Sequence, residues 1–329
     1  MNAQVFAEWL RQQGHRIIRT ENASWYDAGP RVFQAFPYHQ VIRPPEEELA
    51  AFLRRQGAIA LRYSTPLDAP VGRVSYHVVC ENRAYDMPAL ERRARQGVRH
   101  GLERCRVEAI PLDRLAREGW QLVAETCQRQ GREVPYSEEA WRRRCRVAAS
   151  LPGFEAWGAL VDGRLVASLL AVQIDDCCEL LMQQCQTAFL EAHVNNALAF
   201  AVTREVSRRP HVNSIFYTLQ SLDAPASVDV FKFRMGYVAR PLRQRVLFHP
   251  WLAPALGRWT ELLVHRAAER YPHRALTKAD GMIRFCREGK RPAPEQAWPE
   301  CLARSRGHGA AALPASRATP ATAPAGRVP

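Results

Sequence analysis

The chain has 329 residues, of which 47% are hydrophobic, so it can bury one large core or two smaller ones. Its 46 lysines and arginines outnumber its 33 aspartates and glutamates, which gives a formal net charge of +13. That excess favours anionic partners such as nucleotides, tRNA or lipid headgroups, and the arginine-rich composition of a GC-rich genome explains it equally well.

The cysteines and the hydropathy pattern argue against a metal-binding, a secreted and a membrane-spanning protein. The nine cysteines are odd in number and none forms a Cys-x-x-Cys pair, so we expect free thiols in a reducing compartment and no metal site. The first residues lack a basic segment followed by a long apolar one, and no apolar run reaches about 18 residues, the length that a membrane span requires. The sequence therefore predicts a cytoplasmic protein without a transmembrane segment.

The first third of the chain carries short helix and strand patterns. A helix is predicted over Phe6–Gln13, mixed strand and loop over Phe33–Ile42, and a second helix over Glu46–Arg55. Ala58–Ser64 and Arg73–Cys80 are predicted to pair with each other as strands.

Two predicted helices are rich in arginine, one over Pro88–Glu103 and one that Ser137 caps. A strand over Arg106–Ile110 and a helix over Leu112–Arg129 lie between them. Their arginines are Arg92, Arg93, Arg95, Arg99 and Arg104, then Arg142, Arg143, Arg144 and Arg146. Two interpretations stay open: a solvated face whose apolar residues turn inward, or an anion-binding face above a substrate groove.

The clearest organisation begins at residue 154. Three strands, Phe154–Val161, Arg164–Ile174 and Cys178–Gln186, form a predicted antiparallel meander whose first turn is the hairpin dipeptide Asp162-Gly163. A helix over Asn195–Arg209 leads to the next strand. Because a helix joins the third and fourth of these strands, we expect them to lie parallel with a right-handed crossover.

The stretch Ser214–Gly236 combines a strand, a polar break, a short helix and a glycine stop. Pro225 suits the first turn of the helix, and Gly236 can end it in the left-handed conformation. The helix carries Phe231-Lys232-Phe233-Arg234, two cations beside two aromatic rings just past the C-terminal end of a strand. This combination indicates a site that faces an anion.

The chain ends in a strand, a helix and a tail. The strand is predicted over Tyr237–Phe248 and an amphipathic helix over Trp251–Tyr271. From about Gly307 the chain is rich in Ala, Pro, Thr, Ser and Gly, which predicts a disordered tail without chemistry.

This order of elements resembles the GNAT N-acyltransferase fold. A parallel strand, then Phe-Lys-x-x-x-Gly and a proline-containing last strand, is similar to the C-terminal part of the Fem-type, or FemAB-like, branch. The residues here are Phe231, Lys232, Gly236 and Pro241. Tyr85-Asp86 leading into Leu90–Gly101 resembles the segment that links the two GNAT-like halves of that family.

The resemblance implies an α/β (α+β) GNAT fold, with a mixed, mostly antiparallel sheet flanked by helices and built as two GNAT-like halves. We expect residues 1–95 to form a degenerate N-terminal half and residues 96–275 the C-terminal acyltransferase domain. Residues 276–329 are then a C-terminal extension.

The resemblance also implies a donor site between the third meander strand and the parallel strand that follows. GNAT enzymes cradle the coenzyme A diphosphate on a glycine-rich turn, whereas the equivalent stretch here, Leu190–Ala197, has no glycine. Fem-type members, which this chain resembles, draw acyl groups from aminoacyl-tRNA. Acetyl-CoA or another acyl-CoA and aminoacyl-tRNA therefore both stay open as donors. The candidate donor-binding residues are Gln184, Asn195, Asn196 and Arg234; for the two asparagines the alternative is helix capping.

Acyl transfer to an amine requires removal of a proton and stabilisation of an oxyanion. Lys232 is the candidate donor to a phosphate or oxyanion, Tyr217 the candidate acid for the leaving group, and Asp223 the candidate base. The structural alternatives are a surface lysine, a half-buried strand tyrosine and a helix cap. Glu179 and His193 are further candidate bases.

Together these observations predict an acyltransferase without a metal. It moves an acetyl or aminoacyl group from a thioester or aminoacyl-tRNA to an amine of a small molecule or peptide. The alternative is a non-catalytic GNAT-like protein that binds an anionic partner, because fold alone does not determine function.

Overall fold

A computed structural model describes residues 3–222, 229–271 and 273–307. The described strands join into one eleven-stranded sheet. Their bounds are β1 Ile17–Arg19, β2 Ser24–Gly29, β3 Val32–Phe36, β4 Ala60–Thr65, β5 Arg73–Cys80, β6 Arg106–Ile110, β7 Phe154–Val161, β8 Arg164–Ile174, β9 Cys177–Cys185, β10 Ser214–Leu219 and β11 Val238–Phe248.

Helices cover both faces of the sheet. Their bounds are α1 Ala3–Gln12, α2 Glu46–Gln56, α3 Arg92–Arg104, α4 Leu112–Arg129, α5 Glu138–Ala149, α6 Val194–Ser207, α7 Val230–Arg234, α8 Arg258–Arg270, α9 Arg274–Glu288 and α10 Glu300–Gly307. None of the described helices combines the length and the apolarity that crossing a bilayer requires.

The sheet is mixed and mostly antiparallel, in the order β1-β2-β3-β4-β11-β5-β10-β9-β8-β7-β6. Its parallel pairs are β3 with β4 and β9 with β10, and the second confirms the predicted parallel pairing. Each pair ends an antiparallel meander and is joined by one helix, α2 or α6. We call residues 17–65 the first repeat and residues 154–219 the second repeat.

The predicted pairing of β4 with β5 is wrong, because β11 lies between them and pairs with both. The chain returns to this gap from residue 238, so the first repeat and the last strand share hydrogen bonds. The domain boundary near residue 95 stays a prediction.

Turn residues end the elements as their chemistry predicts. Asp162 and Gly163 have φ values of 49° and 77°, the hairpin conformation that joins β7 to β8. Ser137 caps α5 by accepting a hydrogen bond from the backbone N–H of Ala140 at 3.2 Å. Gly236 has φ 84° after α7, and a Cβ there would lie 2.7 Å from the carbonyl oxygen of Ala89. Only glycine fits that close approach in the left-handed region.

Two apolar cores lie on opposite faces of the sheet. One packs α3 and α6 against the central strands and includes Val98, Phe200 and Ile215. The other packs α1, α4 and α5 against the meanders and includes Phe6 and Trp141. The second core joins residues of the first repeat to residues of the second, so the two repeats share one interior.

The C-terminal part departs from the predictions. The helix predicted over Trp251–Tyr271 begins only at Arg258, after a short turn over Ala253–Ala255. A further helix, α9, packs Phe285 against β11. Pro225, the predicted helix start, and the predicted tail beyond residue 307 lie outside the described residues.

Candidate functional site

The strands β9 and β10 separate after a short parallel contact. Register pairs run only from Ser214 opposite Cys177 to Phe216 opposite Glu179, although both strands continue beyond them. Each strand also carries an irregularity here: Tyr217 is the extra residue of β10 against β5 and Leu181 that of β9 against β8. Bulges re-aim side chains and end pairing. We call the resulting gap the strand opening.

Tyr217 bridges the strand opening on the face that α6 covers. Its hydroxyl donates a hydrogen bond to Oε1 of Gln183 on β9. The Gln183 amide in turn donates to Oδ1 of Asn195 at 2.8 Å and to its backbone carbonyl at 3.2 Å. Burial raises the pKa of Tyr217, and the nearby charge of Asp229 adds to the effect. The phenol therefore stays protonated and acts as a donor.

Lys232 lies beside this bridge and is not a surface lysine. Its ammonium forms an ion pair with Asp229 and lies 5.1 Å from the ring centroid of Tyr217. The side chains of Lys232 and Asp229 are only 12% and 7% exposed. The second oxygen of Asp229 accepts a hydrogen bond from Tyr76 at 2.8 Å. This network therefore holds the cation at a fixed place.

The structure gathers some of the predicted site residues and separates others. Lys232, Tyr217 and Asn195 belong to one network, and Asn196 lies next to it with its amide 3.8 Å from the sulfur of Met235. Arg234 lies elsewhere, half exposed and 3.8 Å from a carboxylate oxygen of Glu91. Asp223 lies outside the described residues.

The bulge in β9 explains why Gln183, and not Gln184, meets Tyr217. Strand side chains alternate between faces, and Cys178 and Leu180 face α6. The extra residue Leu181 reverses the alternation, so Gln183 faces α6 and Gln184 accepts a hydrogen bond from Ser168 of β8 at 3.5 Å. A donor-binding role for Gln184 stays a prediction.

Glu179 lies at the apex of the strand opening, on the opposite face of the sheet. Its side chain is completely buried. Oε1 accepts hydrogen bonds from the backbone N–H and from Nδ1 of His39, both at 2.8 Å. Oε2 is buried with no hydrogen-bond partner among the described residues. Burying a carboxylate oxygen without a partner is costly for folding, so Oε2 is open to a hydrogen bond from a water or a ligand group.

His39 supplies the charge that balances Glu179. Burial works against a charged imidazole, but hydrogen bonds to Cys177 and Glu179 outweigh it and raise the pKa of His39 to about 10. The neighbouring His77 is fully buried, and burial together with the charge of His39 lowers its pKa to about 3. His77 accepts or donates one hydrogen bond with Ser64 at 2.8 Å. The two histidines thus differ in charge at neutral pH.

A cavity of about 410 Å³ opens on the same side of the sheet as His39. Its wall includes Tyr38, the neighbour of His39, and the cations Arg143, Arg144 and Lys278. The guanidinium of Arg144 lies 5.1 Å from the ring of Trp9 and 4.9 Å from that of Tyr136. The cavity therefore combines aromatic surface with positive charge.

The start of α6, where a donor diphosphate is expected, contacts α3 very closely. A Cβ on Gly101 would lie 2.5 Å from the carbonyl oxygen of His193, and one on Gly97 would lie 3.0 Å from its ring. His193, a candidate base, has φ 55° and its ring lies 5.6 Å from that of His100. The spacing Gly97-x-x-x-Gly101 is the sequence signal for this close helix contact.

Sequence reasoning missed His39 and Gln183. Glu179 and His39 are 140 residues apart in the chain, and no local pattern connects them. Gln183 faces α6 because of the bulge at Leu181, which no local sequence pattern indicates. The described residues contain no group of three or more His, Cys, Asp or Glu side chains that could hold a metal ion.

Comparison with known proteins identifies the fold. No protein-family model matches the chain, and no curated protein matches its sequence. FemX superposes with a TM-score of 0.54 over 76% of this chain and 92% of its own, at 11% identity. The C-terminal domain (DUF2156) of a putative lysylphosphatidylglycerol synthetase from Agrobacterium fabrum superposes with a TM-score of 0.50 over 77% of this chain and 89% of its own, at 14% identity. The chain therefore shares its fold with FemX, which confirms the Fem-like fold that the sequence predicts.

Proposed function

We propose that this chain is an N-acyltransferase that moves an acetyl or aminoacyl group from an activated donor to an amine at the strand opening between β9 and β10. The observation that carries this proposal is the buried carboxylate of Glu179 at the apex of the opening, whose Oε2 has no partner among the described residues. A carboxylate oxygen held in a dry site can accept the proton of an attacking amine.

The acceptor amine approaches from the side of His39. The amine nitrogen forms a bond to the acyl carbon, and its proton passes to Glu179. The cations Arg143, Arg144 and Lys278 on the cavity wall favour a small-molecule or peptide acceptor that carries an anionic group. His39 keeps Glu179 oriented through the two hydrogen bonds to Oε1.

The donor occupies the side that α6 covers. Lys232 has three N–H donors, so it can stabilise the oxyanion of the tetrahedral intermediate while it keeps its ion pair with Asp229. When the bond between the acyl carbon and the leaving oxygen or sulfur breaks, Tyr217 gives its proton to the leaving atom. Asp223 keeps its predicted assignment as a second proton acceptor.

The contact between α3 and α6 favours aminoacyl-tRNA over acyl-CoA as the donor. Gly97 and Gly101 bring α3 against His193, where a diphosphate cradle needs free backbone N–H groups. The arginines Arg92, Arg93 and Arg99 are exposed on α3 beside this contact, and exposed arginines suit the phosphates of a tRNA. Asn195 and Asn196 then contact the acyl end of the donor.

Calorimetric titration with acetyl-CoA and with an aminoacyl-tRNA tests donor use. Loss of the aminoacyl group from tRNA, measured in a single turnover with a panel of amines, tests transfer. We expect Glu179→Gln to slow transfer by about 10²- to 10⁴-fold with donor affinity unchanged. Glu47→Gln, an exposed carboxylate on α2, is the matched control and should transfer at the normal rate.

Two results oppose the proposal. Equal transfer rates for Glu179→Gln and the normal protein would remove Glu179 from the reaction. Binding of neither donor would leave the second candidate function, a GNAT-like protein that binds an anionic partner, which the positive cavity wall supports.

A further inference from the structure

Helix α8 exposes large apolar side chains to solvent. Trp259 is 79% exposed and Leu263 65%, and Leu262 is exposed beside them. Trp251, in the turn before the helix, is 61% exposed. Residues three and four apart lie on one side of a helix, so Trp259, Leu262 and Leu263 form a continuous apolar stripe. Contiguous exposed apolar surface marks a site of interaction.

The opposite side of α8 is anchored to the rest of the protein. Glu261 forms an ion pair with Arg287 of α9. His265 contacts Asp280 of α9, with Nδ1 and Oδ2 3.1 Å apart. These contacts fix the rotation of α8, so the apolar stripe faces outward because of the fold.

Two arginines extend the stripe by two further turns. Arg266 and Arg270 are exposed, and neither forms an ion pair in the part of the chain that the structure describes. The two carboxylates of the helix are engaged: Glu261 faces α9, and Glu269 lies 3.5 Å from His265. The exposed side of α8 is therefore apolar at its start and positive at its end.

The apolar start and positive end of α8 favour some binding partners over others. A second copy of the chain would bring no free α8 carboxylate to Arg266 and Arg270, because Glu261 and Glu269 are engaged, so a dimer across this face would leave these cations without an anionic partner. An anionic lipid bilayer satisfies both parts, because Trp and Leu enter the boundary between headgroups and acyl chains while Arg contacts phosphates. The chain's net charge of +13 adds long-range attraction to such a surface.

We propose that α8 docks this protein onto the surface of an anionic lipid bilayer. Trp259, Leu262 and Leu263 insert at the interface, and Arg266 and Arg270 bind lipid phosphates. The helix lies in the plane of the surface and does not span the bilayer. This inference is independent of the acyl-transfer chemistry.

Co-sedimentation of the full chain with vesicles tests the proposal. We expect binding to phosphatidylcholine vesicles that contain phosphatidylserine and much weaker binding to pure phosphatidylcholine. The double variant Trp259→Ala/Leu263→Ala should reduce the bound fraction by about 10-fold or more. Arg266→Ala/Arg270→Ala should weaken the preference for anionic vesicles.

Matched controls separate the helix from general surface effects. Val238→Ala truncates an exposed apolar residue on β11, and Arg54→Ala/Arg55→Ala removes two exposed cations of α2. Both should keep most of the vesicle binding, and thermal melting should show that all variants fold.

Three outcomes would overturn the proposal: no binding to either vesicle, binding that Trp259→Ala/Leu263→Ala leaves unchanged, or a dimer in solution that this variant dissociates. The last would assign the stripe to a second copy of the chain.

Discussion

The two repeats have the same order of strands and helix, but the gap beyond their parallel strands is filled differently. In each repeat only three register pairs join the parallel strands. In the first repeat β3 ends at Phe36, and the following loop closes over the gap, with the Ile42 N–H bonded to the Ser64 carbonyl at 2.9 Å. In the second repeat β9 continues to Cys185, and the side chains of Tyr217 and Gln183 bridge the gap.

The difference shows how one of two similar units can contribute a side chain to the other. The loop that fills the first gap also carries His39 to Glu179 in the second repeat. The first turns of the two crossover helices also differ in charge. That of α2 carries Glu46, Glu47 and Glu48, which repel anions, whereas that of α6 carries the uncharged Asn195 and Asn196. The first repeat therefore contributes His39 to the candidate site, and the second repeat contributes Glu179, Gln183 and Tyr217.

The largest loss of stability is expected when the contact between the repeats is removed. His39→Ala leaves the Glu179 carboxylate buried without its cation, which we expect to cost about 3–5 kcal/mol of unfolding free energy. Urea unfolding near neutral pH measures this cost. His15→Ala removes a half-exposed partner of Asp27 in the first repeat and should cost less than about 1 kcal/mol. Similar losses for both variants would contradict the role of His39.

The stability that His39 and Glu179 contribute depends on pH. The pKa of His39 is about 10 in the folded protein against an ordinary value of 6.5. Because folding raises this pKa, the stabilisation is complete below the ordinary value and is lost as the pH rises through about 10. Unfolding free energies measured between neutral and alkaline pH should therefore fall for the normal protein more than for His39→Ala. Parallel pH curves would oppose this assignment.

A third prediction concerns the buried ion pair beside the strand opening. Lys232→Met leaves Asp229 buried without its cation, and we expect a loss of about 3–5 kcal/mol in the free energy of unfolding. Asp229→Asn/Lys232→Met removes both charges and should recover much of that stability without recovering acyl transfer. Chemical unfolding and single-turnover assays measure the two effects. Recovery of transfer in the double variant would show that the lysine has no role in the reaction.

A smaller effect is expected from the close contact between α3 and α6. Gly101→Ala places a Cβ 2.5 Å from the carbonyl oxygen of His193, and we expect the strain to cost about 1–3 kcal/mol of unfolding free energy. Gly29→Ala is the control, since no atom lies within 4 Å of its added Cβ. Thermal or urea unfolding compares them, and an unaltered stability of Gly101→Ala would show that α3 does not bind α6 closely.

The smallest structural change removes the hydroxyl that joins Tyr217 to Gln183 across the strand opening. Tyr217→Phe keeps the ring beside Lys232 but leaves Gln183 without its donor, and we expect about 1–3 kcal/mol of destabilisation. If Tyr217 protonates the leaving group, transfer from an aminoacyl ester also slows. An activated donor whose leaving group needs no proton should restore the rate. Failure of that rescue would leave the tyrosine a purely structural role.

Much of the chain from Ser137 to Leu219 could be predicted from the sequence because its signals are local. Asp162-Gly163 specifies a hairpin, Ser137 specifies a helix start, and a helix between two buried strands specifies a parallel crossover. The short β1 and β2 of the first repeat were missed. Strands such as Ile17–Arg19 and Ser24–Gly29 are short and carry polar residues, so their alternation is too weak to detect.

The sequence by itself determined the GNAT-type order of elements, the glycine stop at Gly236 and the placement of Lys232 and Tyr217 near one opening. Only the tertiary structure decided which groups share that site. The insertion of β11 between β4 and β5, the reversed alternation after Leu181 and the approach of His39 to Glu179 depend on long-range packing. Local sequence patterns record periodicity and turns, whereas contacts between distant segments depend on how buried surfaces and charges are satisfied together.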